Sequence, residues 1–315
     1  PRRGRSGIGT AAHTARWSVS GRVTELLAFE TTWGLTGSLR DQLEGIKARG
    51  YHGVETPVPS MLVRLGWITH SEVAEFPHLL EELDLEYLPL VATYGPEFGS
   101  IWGIDIEPGA THEDTFARQY EEGLALGARQ VTSHTGADSM LLPQAVAMFE
   151  RALEIEASHG VPVGHETHRL RVLYSPFTWR DIRTELPDLK TVIDLSHWVN
   201  VCERLPVDVS ELVESCIDRS IHAHCRVGYA EGPQVNDPRA PEHAVTVEWH
   251  ESCWSRYLDV RAERGDRVTF DPEYGPTPYM QTLPYVESAV IDLHDVRSWT
   301  TSRIRQLWHE LSSRP

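Results

Sequence analysis

Four short strings end apolar runs and decide the fold: GHETH (164–168), VIDLSHW (192–198), IHAHCR (221–226) and FDPEYG (270–275). Each string places an acid or a histidine where a predicted strand gives way to a loop. Glu166, Asp194 and His224 follow one another at intervals of 28 and 30 residues, and Glu273 comes 49 residues later. An interval near thirty is about one strand plus one crossover helix. The strings therefore predict successive βα units that deliver polar side chains to one end of a barrel.

Apolar, β-prone segments recur along the chain with helical periodicity between them. Eight strands are predicted near 23–30, 53–57, 86–93, 129–134, 161–167, 190–196, 219–225 and 267–273. Helices are predicted at 37–49, 113–127, 144–159 and 177–185. The alternation predicts an α/β fold, a single (β/α)8 TIM barrel over residues 21–315. Long loops are expected after strands 3 and 7, at 94–111 and 226–250, where barrel active sites form.

Composition limits the classes of partner. The chain has 46 acidic and 29 basic residues, and its formal net charge of −17 repels phosphate backbones, so nucleic-acid binding is not expected. No apolar run is long enough to span a bilayer. Four cysteines without a CxxC pair are expected to be reduced thiols of a cytoplasmic protein. Residues 1–20 carry four arginines and no acid, and they are predicted to form an N-terminal extension outside the barrel.

Alternation of side chains along a strand predicts a metal site. Inward positions are two residues apart, so the last inward residues of strands five to eight are Glu166, Asp194, His224 and Glu273. Three carboxylates and one imidazole suit Mn²⁺ best, with Mg²⁺ or Co²⁺ as alternatives. They match zinc less well, because zinc favours cysteine and several histidines. His222 lies one inward layer deeper and is expected to be a packed or hydrogen-bonded barrel residue.

The motifs resemble those of the xylose isomerase-like TIM barrels, which include sugar and sugar-phosphate isomerases and epimerases and the endonuclease IV group. The resemblance covers residues 22 to 310. It rests on E-x-H at Glu166–His168, D-x-x-H at Asp194–His197, H-x-H at His222–His224 and PEYG at 272–275. The resemblance implies the same four metal ligands. It also implies that Glu166 and Glu273 form an acid/base pair, as in the ketose epimerase branch.

The function implied by the resemblance is isomerisation or epimerisation of a sugar or sugar-like keto or hydroxy substrate. A glutamate would remove a proton from carbon beside a carbonyl, and one divalent metal ion would stabilise the resulting enediolate. The predicted catalytic residues are Glu166, Glu273 and His197. The predicted substrate contacts are His134, His168, Arg226, Arg239, Trp33 and Trp102. The two arginines would clamp an anionic substrate, and the alternative for them is a surface ion pair with Asp237 or Glu242.

Three other functions stay open. A lyase that dehydrates a keto-sugar, a cyclitol or a related natural-product intermediate would use the same metal site. An endonuclease IV-like enzyme needs three zinc ions, but where that branch carries Asp-x-His this chain has Asp237-Pro238-Arg239, and arginine does not ligate zinc. The last alternative is a non-catalytic barrel that only binds a ligand. The expected partner is a small polyhydroxylated molecule, and a homodimer is left open because related barrels often pair.

Overall fold

The protein folds as a closed barrel of eight parallel strands. The structure, a computed structural model, describes residues 16–19 and 22–313. The barrel strands are β1 Arg22–Thr31, β2 Gly53–Pro57, β3 Glu86–Ala92, β4 Val131–His134, β5 Val163–Glu166, β6 Thr191–Ile193, β7 Ser220–His224 and β8 Val268–Asp271. They pair in chain order, and β8 pairs with β1 to close the ring. The predicted single (β/α)8 barrel is confirmed.

Helices follow the strands around the outside of the barrel. Those of the described residues are α1 Leu39–Ala48, α2 Pro59–Arg64, α3 His70–Glu82, α4 His112–Ala125, α5 Leu142–His159, α6 Pro176–Glu185, α7 Leu195–Cys202, α8 Ser210–Ile217, α9 Ala244–Arg264 and α10 Leu293–Ser312. Short 3₁₀ turns precede α8 at Val207–Val209 and α9 at Pro241–His243. The four predicted helices correspond to α1, α4, α5 and α6.

Local sequence explains where several helices begin and end. Ser38 caps α1 by accepting a hydrogen bond from the backbone N–H of Asp41, whose carboxylate accepts from the N–H of Ser38 in return. Thr111 caps α4 with its hydroxyl, which accepts from the backbone N–H of Asp114 at 3.1 Å. Gly160 ends α5 with a φ of +78°, which glycine adopts without a Cβ clash.

Large apolar side chains fill the layer between helices and barrel. Phe149 of α5, Trp179 of α6 and Trp254 of α9 belong to one buried cluster. Inside the barrel, space is short at Gly164 of β5, where an added Cβ would lie 2.5 Å from a methyl group of Val192. A side chain at this position would displace the neighbouring strand, so glycine is required there.

The long loops after β3 and β7 are present, but the second is shorter than expected. The first, 93–111, contains a small hairpin of Ser100–Ile101 and Ile104–Asp105. The second gives way to the 3₁₀ turn and then to α9 at Ala244, so the expected limit at residue 250 is wrong. The first turns of α9, AVTVEWHE, carry no clear apolar stripe, and this hid the helix from a periodicity argument. A third long connection, 272–292 after β8, was not predicted.

The predicted N-terminal extension is only partly described. Residues 1–15 and 20 lie outside the described residues. Arg16–Val19 forms a short strand that pairs antiparallel with the start of β1, with Arg16 opposite Glu25. Within the part of the chain that the structure covers, no helix is both long and apolar enough to cross a membrane.

His250 of α9 makes the free energy of unfolding depend on pH. It packs against the loop that follows β7. Its Nδ1–H donates to the carbonyl of Thr246 at 2.8 Å, and its Nε2 lies 3.4 Å from the N–H of Gly228, which donates to it. Burial lowers the pKa of His250 to about 4 from an unfolded value of 6.5. Between these two values the unfolded chain binds a proton that the folded chain does not. The free energy of unfolding therefore falls as the pH drops from 6.5 towards 4.

We expect the melting temperature of His250→Gln to fall less steeply between pH 7 and 4.5 than that of the wild type. Glutamine keeps one donor and one acceptor at this position but does not titrate. Thermal melts across this pH range measure the slope, and His70→Gln, at an exposed position on α3, is the control. Equal slopes for the wild type and His250→Gln would contradict the expectation.

Candidate active site

The four predicted metal ligands meet at the C-terminal ends of β5 to β8. Glu166 and His224 are the last residues of β5 and β7, Asp194 directly follows β6, and Glu273 lies two residues beyond β8. One donor atom of each lies within 4.8 Å of the donor atoms of the other three. All four side chains are buried. Residues that are distant in sequence converge here because parallel barrel strands end at one rim.

Four of the atoms that face this centre lack a hydrogen-bond partner of good geometry, whereas Asp194 accepts from Ser196 and Arg226. The four are both carboxylate oxygens of Glu166, Nδ1 of His224 and Oε2 of Glu273. Nδ1 of His224 lies 3.4 Å from Glu166 and 3.5 Å from Glu273. Buried polar atoms are almost always paired, and neighbouring carboxylates repel one another unless a cation lies between them. The set therefore fits a divalent ion with oxygen-rich coordination.

Glu55 of β2 fixes the orientation of His224. Nε2 of His224 lies 3.1 Å from Oε1 of Glu55 and donates to it, so Nδ1 is the nitrogen that would offer a lone pair to an ion in the centre. The other oxygen of Glu55 accepts from Nε2 of His222 at 2.9 Å. Nδ1 of His222 lies 2.8 Å from the hydroxyl of Thr269, which donates to it. A carboxylate that holds a metal-binding imidazole from behind is common in metal sites.

Glu55 was not among the residues predicted from the sequence. The strand GVETP was recognised at 53–57, and Glu55 occupies its middle inward position. An acid at an inward position of an otherwise uncharged strand is the signal that could have identified it.

Asp271 of β8 was also not among the residues predicted from the sequence. Its oxygens are buried without a hydrogen bond, and burial together with the charge of Glu55 raises its pKa well above the usual range.

Arg226, a predicted substrate contact, is buried among the acids of the centre. Its Nη1 lies 3.1 Å from Oε2 of Glu273, and its Nη2 forms an ion pair with Oδ2 of Asp194. Nη2 also donates to Nε2 of His197 at 2.8 Å, and Nε donates to the hydroxyl of Ser196 at 3.2 Å. All three guanidinium nitrogens are thus engaged by the protein itself.

The carboxylates of the centre differ in their proton affinity. Burial raises the pKa of Asp194 to about 6 against the opposing charge of Arg226. Burial also raises the pKa of Glu273, again against Arg226. For Glu166 burial acts in the same direction, but His134 and His224 outweigh it and hold the pKa well below its usual range. A divalent cation would favour the charged form of all three carboxylates.

Two predicted substrate contacts, His134 and His168, and the predicted catalytic residue His197 form a row of imidazoles beside Glu166. The ring of His168 lies 4.4 Å from that of His134 and 4.0 Å from that of His197, centre to centre. Burial lowers the pKa of all three, so the rings are neutral. Because Nε2 of His197 accepts from Arg226, its Nδ1 carries the proton, and this buried N–H has no protein partner. It is an available donor for an oxygen of a bound molecule.

His134 and His168 lie close enough to Glu166 to form a second group with metal-ligand spacing. Nε2 of His134 is 2.5 Å from Oε2 of Glu166. Nδ1 of His168 donates to the carbonyl of Arg169, which leaves Nε2 of His168 with its lone pair. Glu55, His222 and His224 form a further group of this kind, but their own hydrogen bonds already occupy both oxygens of Glu55.

Aromatic side chains border the centre. Trp33 contacts Tyr279 edge to face, with 4.8 Å between ring centres, and Gly275 leaves room for the indole because an added Cβ would lie 2.1 Å from it. Trp102 of the hairpin after β3 is half exposed and meets the ring of His134 at 5.7 Å. Trp33 and Trp102 were predicted contacts. Tyr279 was not, because it lies in the unpredicted connection after β8.

Arg239 lies at the surface and not among these groups. Its Nε is 2.8 Å from Asp237 and its Nη2 is 2.9 Å from Asp295. About a third of its side chain is exposed. The contact with Asp237 is that of the surface ion pair that was the alternative interpretation.

Comparisons with known proteins agree with the geometry. The model of a family described as xylose isomerase-like TIM barrel matches residues 43–238. Curated proteins give no significant match.

Among solved structures, three similar ones represent different activities. D-allulose 3-epimerase from Methylomonas sp., solved with D-allulose, has a TM-score of 0.57 and 13% identity and covers 93% of this chain and 99% of its own. The probable 3-DHS dehydratase of petrobactin synthesis from Bacillus anthracis has a TM-score of 0.53 and 14% identity, covering 89% and 98%. Endonuclease IV from Thermus thermophilus has a TM-score of 0.52 and 15% identity, covering 90% and 99%. At these identities the likeness establishes the fold alone.

Proposed function

Since the chain belongs to the xylose isomerase-like TIM barrel family, we propose that it is a divalent-metal-dependent enzyme that isomerises or epimerises a sugar-like hydroxyketone. The observation that carries the proposal is the convergence of Glu166, Asp194, His224 and Glu273, whose donor atoms lie within 4.8 Å of one another. Several of these buried atoms have no protein partner of good geometry. A barrel rim of this kind is where enzymes with this fold carry out their chemistry.

The proposed cofactor is one divalent ion held by these four side chains, with Mn²⁺ preferred. Three carboxylates and one imidazole form a hard, oxygen-rich donor set, which suits Mn²⁺, Mg²⁺ or Co²⁺ better than zinc. The bound ion would supply stabilisation of the negative charge that develops on the substrate oxygens. Glu55 supports this assignment because it directs the lone pair of His224 Nδ1 towards the carboxylates.

Glu166 and Glu273 are the proposed proton carriers. An oxygen of each lies near His224 Nδ1, at 3.4 and 3.5 Å, so both carboxylates border the place where a substrate would meet the ion. One carboxylate takes the proton from carbon next to the carbonyl, and the other returns a proton to the neighbouring carbon or to the opposite face. The free N–H of His197 donates to a substrate oxygen, and Arg226 keeps Asp194 and Glu273 in place.

A test of this function needs no knowledge of the product. The metal content of the purified protein is measured by elemental analysis, and a panel of ketoses and cyclitol ketones is then incubated with it in D₂O. We expect one divalent ion per chain, and deuterium should enter at the carbon beside the carbonyl. Chelation should abolish exchange, and added Mn²⁺ should restore it.

The outcomes separate the alternatives. Exchange that survives complete removal of the metal would contradict the proposal. Three zinc ions per chain would favour the nuclease. Loss of water from the exchanged substrate would identify a dehydratase that uses the same two glutamates.

A further inference from the structure

Arg169 is a cation at the rim of the barrel without an acidic partner. It follows His168 in the loop after β5 and is half-buried. Within the described residues, no Asp or Glu oxygen forms an ion pair with it, and its hydrogen bond to Oδ1 of Asn200 is long, at 3.4 Å. By contrast, the arginines first predicted as clamps, Arg226 and Arg239, are both fully engaged by acids.

The ring of Tyr279 contacts both Arg169 and Arg226, a residue of the candidate metal centre. The Cζ of Arg169 lies 5.1 Å from the centre of the Tyr279 ring, and the Cζ of Arg226 lies 5.1 Å from the same ring. Arg226 in turn contacts Glu273 at 3.1 Å. A molecule that reaches from the centre along Tyr279 would therefore meet Arg169 at its far end.

The other arginines near the centre already have partners in the protein. Arg226 lies against two of the buried carboxylates of the site, those of Asp194 and Glu273. Arg171 is itself held by the carbonyls of Thr93 at 2.7 Å and Gly136 at 3.2 Å. Arg169 is the positive charge left over, in a chain that is otherwise strongly acidic.

We propose that Arg169 binds an anionic group, a carboxylate or a phosphate, at the end of the substrate that lies away from the metal. The planar guanidinium presents paired N–H donors that match both anions. The inference rests on the proposed function and narrows its substrate class to acidic polyhydroxy ketones, such as ketouronates or phosphorylated ketoses. A neutral sugar would leave Arg169 without an anionic partner.

The experiment compares three ketoses of the same carbon skeleton in the D₂O exchange assay: fructose, fructuronate and fructose 6-phosphate. We expect kcat/KM for exchange to be higher for one or both charged ketoses than for fructose. Arg169→Gln should lower kcat/KM for the charged ketose roughly 10- to 100-fold, as expected for the loss of a charge-assisted hydrogen bond, and should leave fructose unchanged. A preference for fructuronate or for the phosphate identifies which anion the site accepts.

Arg239→Gln is the control, because it removes an arginine from a surface ion pair. Equal exchange of all three ketoses, or an equal loss for all three in Arg169→Gln, would overturn the inference and leave the proposed function standing. If no ketose exchanges, the proposed function fails, and calorimetry on the metal-loaded proteins then decides the role of Arg169. Equal affinities of wild type and Arg169→Gln for fructuronate and fructose 6-phosphate would overturn it.

Discussion

Glu273→Gln is expected to lower the rate of deuterium exchange roughly 10²–10⁴-fold, the range over which a positioned acid or base contributes to catalysis. The amide oxygen can still accept from Arg226, whose Nη1 lies 3.1 Å from the present carboxylate, and it can still face the metal. What the amide cannot do is take up or release a proton. The variant should therefore bind metal and substrate while the proton transfer fails.

Elemental analysis and substrate calorimetry on Glu273→Gln show whether binding is intact. The matched control is Glu251→Gln, a glutamate of α9 that pairs with Arg303 at 2.7 Å. If exchange persists in Glu273→Gln with metal bound and substrate affinity unchanged, Glu273 is not a proton carrier. The proton would then be carried by another group of the site.

Glu55→Gln is expected to weaken metal binding roughly 10- to 100-fold, the usual effect of removing the residue that orients a metal-binding histidine. Glu55 accepts from both His222 and His224, at 2.9 and 3.1 Å. A glutamine can accept from only one of them, because its NH₂ group would meet the N–H of the other. If His224 responds by moving its proton to Nδ1, the lone pair that faces the centre is lost.

Metal titration followed by calorimetry measures this affinity, and exchange at saturating Mn²⁺ should recover most of the wild-type rate. Asp271→Asn provides the control, since Asp271 is another buried acid of the barrel interior but makes no hydrogen bond. Burial and the charge of Glu55 raise its pKa well above the usual range, and this favours the neutral form that the amide resembles. An unchanged metal affinity in Glu55→Gln would mean that Glu55 does not act through His224.

The sequence predicted residues correctly where the barrel gives positions a regular spacing. Inward positions two residues apart, together with strand ends about thirty residues apart, were enough to select Glu166, Asp194 and His224. Periodicity carried less information where it was weak. The first turns of α9 lack an apolar stripe, and the connection 272–292 has no repeating pattern, so Tyr279 could not be placed beside Trp33.

The pairing of charged side chains was the second feature that could not be predicted from the sequence. A sequence shows how many arginines lie near a motif but not which of them an acid already neutralises. Arg226 and Arg239 were predicted as clamps for an anionic substrate, yet one lies against Asp194 and Glu273 and the other is paired with Asp237. Arg169 was not considered, although it is adjacent to a predicted contact. Pairing depends on three-dimensional contacts between segments, and no local pattern encodes it.

Arg226 also bears on whether this protein folds before or after it binds its metal ion. Its guanidinium already lies against Asp194 and Glu273, so the chain carries a counter-ion of its own at the place where its acids crowd together. Proteins whose metal supplies the folding energy lack such a substitute and unfold when the metal is removed. We expect folding to be complete before metal is loaded. The ion acquired would then depend on which divalent cation is abundant when the finished barrel first meets one.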